Sequence, residues 1–347
     1  MRQITYALKS SKVATVVALG TIGLYALTQF GDHPSHYAEA KLSDVPLGAL
    51  TSAPMDEGKF DIAAIPTPAP RPGDLPYVKQ PDQLTVTTVM SGLENVSFNL
   101  PSIRNGSEVP RYFVPELPVD ILDIDKVTTR KKLFISVTLP LILNTNERIM
   151  EERKLLKNLI KSKNDGKSWS SEQRAWINYL AKRYRGSVRD LNGLLDRVDI
   201  IPASLALAQS IEESGWGTSR FAREGNALFG QRVWSEGKGI VPHKRIEGEV
   251  YEVRSFEKLA KSVSSYALNL NRHEAYHSFR EARSRLRAAG LIPNGYALAA
   301  SLTFYSERGD EYVEGLRMLM RSNELSQYDT AKLAPKQVAQ SERVSSN

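Results

Sequence analysis

Apolar residues recur at spacings of three and four through most of the chain after residue 127, which is the pattern of amphipathic helices. The first two predicted helices, 128–144 and 147–162, are separated by the polar run Asn-Thr-Asn at 144–146. Further helices are predicted over 170–184, 191–198, 202–214, 256–270, 278–289, 297–304 and 310–320. This part of the chain is therefore expected to be mostly helical.

One stretch departs from the helical pattern. Residues 233–253 are rich in glycine and alternate between apolar and polar side chains, as half-buried strands do. Glu247, Gly248 and Glu249 form a predicted turn between two short strands. The chain is thus predicted to have an α+β fold, mostly helical, with one β-hairpin.

The amino terminus has the pattern of a membrane signal. Three basic residues precede the uncharged stretch 13–30, which as a helix would span about 27 Å, close to the bilayer core. A retained signal anchor at 1–30 would leave the rest of the chain on the periplasmic side of the inner membrane. The alternative is a secreted protein, cleaved after the small-residue site at 38–40.

The segments on either side of the helical part differ from it in composition. Residues 31–111 include the proline-dense stretch 66–81, which favours an extended tether that is mostly disordered. Residues 324–347 are polar and are predicted to form a disordered tail. The folded domain is therefore predicted at 112–323.

The composition limits the classes of partner. The formal net charge is +7 and the pI is about 9.3, which favours anionic surfaces or polymers. A nucleic-acid partner is not expected, because no nucleic-acid-binding motif with interleaved aromatic residues is present. Cysteine is absent, which excludes disulfides and thiolate metal sites.

Two adjacent glutamates lie in the last turn of the apolar helix 202–214. Glu213 shares a helix face with Ser210, Gln209 and Ala206, which are small or polar, as expected of a face that lines a cleft. Burial would raise the pKa of such a carboxyl, which suits a general acid at neutral pH. Either Glu212 or Glu213 is equally compatible with a plain position at a helix end.

Aromatic and amide side chains follow this helix. Trp216, Asn226 and Phe229 lie within sixteen residues of Glu213. Flat aromatic faces pack against pyranose rings, and amides pair with hydroxyl and acetamido groups. The pattern indicates a carbohydrate-binding cleft, although the residues taken alone do so only weakly.

The motif ESGWG at 213–217 and the motif NALFG at 226–230 together carry a family resemblance. The chain resembles the N-acetylglucosaminidase domain of glycoside hydrolase family 73, and residues 251–283 and 304–320 are similar to its bacterial Bax-like branch. The resemblance covers about 112–323. It implies a lysozyme-like fold and hydrolysis of the β-1,4 bond after N-acetylglucosamine in peptidoglycan, without cofactor or metal.

The resemblance also implies roles for individual residues. The general acid of the family is the glutamate directly before Ser-Gly-Trp-Gly, which in this chain is Glu213. Tyr305 matches a tyrosine near the cleft. A second carboxylate, on a hairpin after the Asn-Leu-Phe-Gly motif, corresponds to Glu247 or Glu249, which are equal candidates. Alternatively, the substrate's own 2-acetamido group assists at the anomeric carbon, which would make a second carboxylate less essential.

Three other functions compete with this hypothesis. A lytic transglycosylase would share the fold and the single acid, and a non-catalytic domain would only bind peptidoglycan. The motif His-Glu-Ala-Tyr-His at 273–277 matches the zinc motif of metallopeptidases, with Glu274 as its base. Arg280 and Arg283 would repel a cation there, so the motif is interpreted as a junction between helices with Tyr276 packed inward.

Overall fold

A helix of 38 residues, α3 (Val127–Asn164), runs through the centre of the fold. The computed structural model describes residues 77, 83–243, 245 and 248–336. The middle of α3 is buried on all sides from Leu133 to Asn144, and its amino-terminal and carboxy-terminal turns are exposed.

Helix α3 is continuous through the polar run at 144–146, where the sequence predicts a break. Asn146 is buried, and its amide accepts a hydrogen bond from the Ile201 N–H at 3.0 Å and donates one to the Ile201 carbonyl at 2.7 Å. The polar run is therefore a buried clamp on the loop ahead of the glutamate-bearing helix, and not a turn. The predicted break is wrong because Asn146 is satisfied by a distant segment and the Thr145 hydroxyl donates to the Leu141 carbonyl within the helix.

The other helices surround α3. Their bounds are α1 (Val86–Asn95), α2 (Leu100–Arg104), α4 (Ser171–Tyr184), α5 (Leu191–Arg197), α6 (Ala203–Ser214), α7 (Arg220–Gly225), α8 (Leu259–Arg272), α9 (His277–Ala288), α10 (Gly295–Ala299) and α11 (Asp310–Ser322). Short 3-10 helices lie at Ile121–Asp123, Glu274–Tyr276 and Leu325–Thr330.

Helix α6 carries the glutamate pair and is the most deeply enclosed of these elements. It packs against α3, α10, α11 and the 3-10 helix Leu325–Thr330, and its residues from Ala203 to Ile211 are all buried. It ends at Gly215, which adopts the left-handed conformation (φ 58°) that glycine tolerates best. The helix end is therefore fixed by local sequence, as predicted.

Three short strands form a small antiparallel sheet, and the single predicted hairpin is corrected accordingly. They are β1 (Arg232–Val233), β2 (Gly239–Ile240) and β3 (Glu252–Arg254), in the order β1-β3-β2. The Glu252 carboxylate accepts hydrogen bonds from the Gly237 and Gly239 N–H groups at 3.0 and 2.7 Å, which holds the loop before β2. The fold is α+β and mostly helical.

The folded unit is larger than the predicted 112–323 at both ends. Leu84 and Val89 before it, and Leu325 and Tyr328 after it, are essentially inaccessible to solvent and belong to the common hydrophobic core. Val109 and Leu333 also form a parallel bridge. The prediction of disorder followed the proline-dense stretch 66–81 and the polar end of the chain, but apolar residues of 84–111 and 324–336 are part of the core.

The predicted signal anchor at 1–30 and most of the tether lie outside the described residues. Within the part of the chain that the structure describes, no helix combines the length and apolar character that crossing a bilayer requires.

Candidate active site

Glu213 lies in the last turn of α6, with its carboxylate against a second loop. Its Oε1 accepts a hydrogen bond from the Tyr312 hydroxyl at 3.1 Å. On the other side lies Gly230, where an added Cβ would sit 3.0 Å from Oε2 of Glu213. Gly230 has a positive φ of 58° and no side chain, so the loop can approach the carboxylate closely.

A relay of buried hydrogen bonds fixes the tyrosine that contacts Glu213. The Tyr266 hydroxyl donates to Oε1 of Gln209 at 2.6 Å, and Nε2 of Gln209 donates to the Tyr312 hydroxyl at 3.0 Å. The proton of Tyr312 is thus directed to Glu213. Gln209 precedes Glu213 by one helical turn, which matches the predicted shared face of α6.

Stacked aromatic rings enclose the same carboxylate. Phe229 stacks on Tyr266 with ring centres 3.9 Å apart, and Tyr305 stacks on Tyr312 at 5.5 Å. Tyr276 lies 5.9 Å from Tyr305. These rings come from the loop after α7 and from the later helical segments, so the enclosure is built by distant parts of the chain.

This enclosure shifts the titration of Glu213. Burial, together with the negative charge of the neighbouring Glu212, raises its pKa from an ordinary value near 4.5 to about 8, against the opposing effects of the Tyr312 hydrogen bond and Arg308. At neutral pH the carboxyl is therefore mostly protonated although its side chain stays partly accessible. Burial and the proximity of Glu213 also raise the pKa values of Tyr305 and Tyr312.

The adjacent glutamate has a different environment. Oε1 of Glu212 accepts a hydrogen bond from Nη2 of Arg308, and the two form an ion pair. The Arg308 guanidinium also lies over the Tyr312 ring, 5.3 Å from its centre. The two adjacent glutamates therefore differ: Glu212 is paired with a cation, and Glu213 is desolvated and able to hold a proton.

An open groove of about 1200 Å³ runs past this centre. Phe229, Gly230, Tyr276 and Tyr305 line the end beside Glu213, and Glu249 also lines the groove. The structure therefore brings together three of the predicted site residues, Phe229, Tyr305 and Glu249, along one surface next to Glu213.

Two groove residues are absent from the sequence prediction. Trp234 and Phe304 line the groove and are exposed to 63% and 72%. Large aromatic side chains so exposed in a concave surface are typical of sites that bind flat apolar faces. The sequence places Trp234 close to the family motif and Phe304 next to Tyr305, which could have indicated a role at the site. Their exposure is revealed only by the fold.

Of the two candidates for the second carboxylate, Glu249 is the one that lies within the described residues. One oxygen of Glu249 is buried without a hydrogen-bond partner among the described residues, so this carboxylate has an unused acceptor at the groove. Glu252 instead satisfies the backbone of the loop before β2 and is buried. Glu247 lies outside the described residues.

Trp216 and Asn226 do not line the groove. Trp216 packs edge-on against Phe134 with ring centres 6.0 Å apart, and Nζ of Lys131 lies 4.9 Å above its ring. Asn226 ends α7 in the left-handed conformation, and its amide donates to the Phe256 carbonyl at 3.1 Å. Both residues hold loops in place, and their predicted contacts with sugar stay predictions.

The motif at 273–277 does not form one helix face. His273 ends α8 with an extended backbone and His277 begins α9, with Tyr276 buried between them. Glu274 pairs with Arg197 at 2.9 Å, and His277 lies near Glu281. The described residues contain no cluster of three or more histidine, aspartate or glutamate side chains suited to a metal ion.

Comparison with known proteins agrees with this geometry. The family described as mannosyl-glycoprotein endo-beta-N-acetylglucosaminidase matches residues 188–325, a region that includes α6, the sheet and the stacked tyrosines. The comparison with solved structures gives no match. Protein bax of Escherichia coli (strain K12) is 37% identical over 203 residues, which cover 57% of this chain and 71% of that protein.

The family match includes the Glu213 centre and all groove residues except Arg183. The chain therefore belongs to the family of bacterial Bax-like proteins with a glucosaminidase domain, a family of glycoside hydrolases.

Proposed function

We propose that this protein hydrolyses the β-1,4 bond after N-acetylglucosamine in peptidoglycan strands, with Glu213 as the general acid. Glu213 donates its proton to the glycosidic oxygen while the bond from that oxygen to the anomeric carbon breaks. Water supplies the hydroxyl group that ends on the anomeric carbon. No cofactor takes part in this scheme.

The observation that carries the proposal is the enclosure of the Glu213 carboxyl beside the groove, which raises its pKa. A carboxyl raised to about 8 is protonated at neutral pH, which a general acid requires. It touches Gly230, which lines the groove, so its proton is held next to the space where a polymer would lie. Tyr312 fixes the direction of the carboxyl through its hydrogen bond.

Glu249 is the described residue that best suits the second catalytic role. It lines the groove, and one of its oxygens has no partner among the described residues. In the two-carboxylate scheme it would either activate water or attack the anomeric carbon. Glu247 keeps the same candidate role, and assistance by the 2-acetamido group of the substrate is the alternative scheme.

Sugar binding would use the exposed aromatic residues of the groove. Trp234 and Phe304 are largely exposed in the groove, and Tyr305 lines it while itself being buried. Pyranose rings present apolar faces that pack against such side chains. The substrate would thus be held mainly by contacts at the groove walls, leaving the bond to be cleaved next to Glu213.

The location of the activity is part of the proposal. The uncharged stretch at 13–30 behind basic residues favours an inner-membrane anchor with the enzyme domain in the periplasm. Cleavage near 38–40 would release the same domain, and detection of the intact amino terminus in membrane fractions separates the two.

The test uses the full-length protein and purified peptidoglycan. Wild type, Glu213→Gln and Glu212→Gln are compared, and the new glycan ends are identified by mass spectrometry. We expect the wild type to release reducing N-acetylglucosamine ends and Glu213→Gln to release none. Glu212→Gln should still release them, with a lower or otherwise altered pH optimum. Anhydro-sugar ends would instead identify a lytic transglycosylase, and binding without turnover in the wild type would identify a non-catalytic domain.

The second carboxylate has its own test. Glu249→Gln and Glu247→Gln are assayed on the same substrate, with Glu236→Gln as a matched loop glutamate that does not line the groove. A loss of 100-fold or more in kcat confined to one variant would identify the second group. Full activity in both variants would favour assistance by the acetamido group.

A further inference from the structure

The wall of the groove beyond the tyrosines is strongly basic. Five cationic side chains line the groove, against two carboxylates, Glu249 and Glu257. The cationic residues are Arg183, Arg232, Arg254, Lys261 and Arg272. A neutral sugar polymer gives no reason for such an excess of positive charge.

Three of these arginines converge from separate elements, and we call them the basic wall: Arg183 near the end of α4, Arg254 at the end of β3 and Arg272 at the end of α8. Arg183 donates a hydrogen bond to the Tyr179 hydroxyl at 3.3 Å, and its one ion-pair contact within the described residues, to Glu152, is long at 3.9 Å. Within the described residues, Arg254 and Arg272 have no acidic side chain at ion-pair distance. Two strong donors are therefore left open to the groove.

The arginines also act on one another. The pKa of Arg272 is lowered by burial and then by the positive charges of Arg185, Arg254 and Arg183. Like charges held together in a fold repel one another unless an anion neutralises them. Arg185 is exposed beside the wall, so the positive potential extends to its outer rim.

The basic wall is continuous with the catalytic end of the groove. Arg272 and Tyr276 both line the groove, and the Tyr276 ring is 5.9 Å from that of Tyr305. An elongated ligand next to Glu213 would thus pass the wall without leaving the groove. An anion held at the wall would then belong to the same ligand that lies next to Glu213.

We propose that the basic wall binds free carboxylates on the peptides that branch from the glycan strand, so that peptide-bearing strands are the preferred substrate. This rests on the proposed function. Arginine is suited to the role because its planar guanidinium binds a carboxylate through two parallel hydrogen bonds. The backbone of such a strand is largely uncharged, so its peptide carboxylates supply the matching charge.

The test is an equilibrium binding experiment that does not depend on turnover. Full-length protein with Glu213→Gln is titrated with two peptide-bearing oligosaccharides of the same length. One has free peptide carboxylates, and in the other these are converted to carboxamides. We expect the free-carboxylate ligand to bind at least tenfold more tightly, with a difference that shrinks as salt is raised.

A charge-matched pair of variants assigns the preference to the wall. Arg254→Gln with Arg272→Gln should abolish it, whereas Arg189→Gln with Lys167→Gln, which removes two exposed charges outside the groove, should leave it intact. Equal binding of the two ligands would overturn this inference and leave the glycan substrate standing. If neither ligand binds, the proposed substrate is overturned as well. If only duplex DNA or anionic vesicles bind tightly, the wall belongs to another partner.

Discussion

Gly230 lies where any side chain would press on Glu213: an added Cβ would be 3.0 Å from Oε2 of the carboxylate. There is thus a physical reason why the last residue of the motif NALFG is glycine. The loop needs a positive φ at this position, and the acid needs the space that a side chain would fill.

Replacing Gly230 should therefore damage catalysis more than stability. In Gly230→Ala the methyl group displaces the carboxylate, and the left-handed backbone costs about 1–2 kcal/mol. We expect kcat to fall by at least tenfold while the protein stays folded. Gly166→Ala is the matched control, because Gly166 also has a positive φ (76°) but has open space around it. Equal activity losses in the two variants would refute the contact.

The pH dependence of turnover should follow the proton on Glu213. Because its pKa is about 8, kcat/KM should fall as the pH rises through about 8. This fall is the alkaline limb of the pH profile, and two variants should move it in opposite directions. Tyr312→Phe removes a hydrogen bond that lowers the pKa, so the limb moves to higher pH.

Glu212→Gln should move the limb to lower pH, since the negative charge of Glu212 raises the pKa of Glu213. It also releases Arg308, whose positive charge then acts on Glu213 alone. The readout is the full pH profile of kcat/KM for the wild type and both variants. Shifts in the same direction would contradict this electrostatic account, whatever the effect on the maximal rate.

The exposed aromatic residues of the groove should contribute to binding of the glycan strand. Trp234→Ala and Phe304→Ala should each raise KM several-fold on long glycan strands, because each removes a ring face worth about 1 kcal/mol or more. Tyr179→Ala is a control, because Tyr179 is exposed to 44% but lies outside the groove. An unchanged KM in both groove variants would remove these rings from the binding surface.

The sequence predicted the parts of the site that local signals define. The end of α6 at Gly215 and the position of Glu213 follow from periodicity, from the glycine and from the family motif. The partner Tyr312 was not predicted, because it is 99 residues away in the chain and only folding brings it near. Trp216 has the aromatic side chain typical of sugar-binding residues, but in the folded protein it packs against Phe134.

The limits of the domain were mispredicted for a related reason. The prediction assigned 84–111 to the tether and 324–336 to the tail, yet these flanks bury Leu84, Tyr328 and other core residues. Asp329 connects the carboxy-terminal flank to α6: its carboxylate accepts hydrogen bonds from the Ser204 N–H and hydroxyl group, both at 2.8 Å.

A fragment of residues 112–323 should accordingly be much less stable than one of residues 83–336. Each buried leucine or tyrosine lost from the core costs about 2–5 kcal/mol, which is a large share of the stability of a domain. Urea unfolding of the two fragments checks this expectation. Similar midpoints would mean that the flanks contribute little. The single variant Asp329→Ala, in the longer fragment, isolates the contribution of the clamp on α6.

The raised pKa of Glu213 also predicts a cost to folding. A carboxyl whose pKa is near 4.5 when unfolded and about 8 when folded favours the folded state only below pH 4.5, and this contribution is lost as the pH rises towards 8. Glu213→Gln cannot ionise and still accepts the Tyr312 hydrogen bond. We therefore expect the variant to be more stable than the wild type by roughly 2–4 kcal/mol at pH 8, with the difference vanishing near pH 4. Denaturant unfolding of both proteins at a series of pH values measures it. A difference that is constant with pH would show that Glu213 is not held protonated by the fold, and the assignment of this residue as the general acid would lose its physical basis.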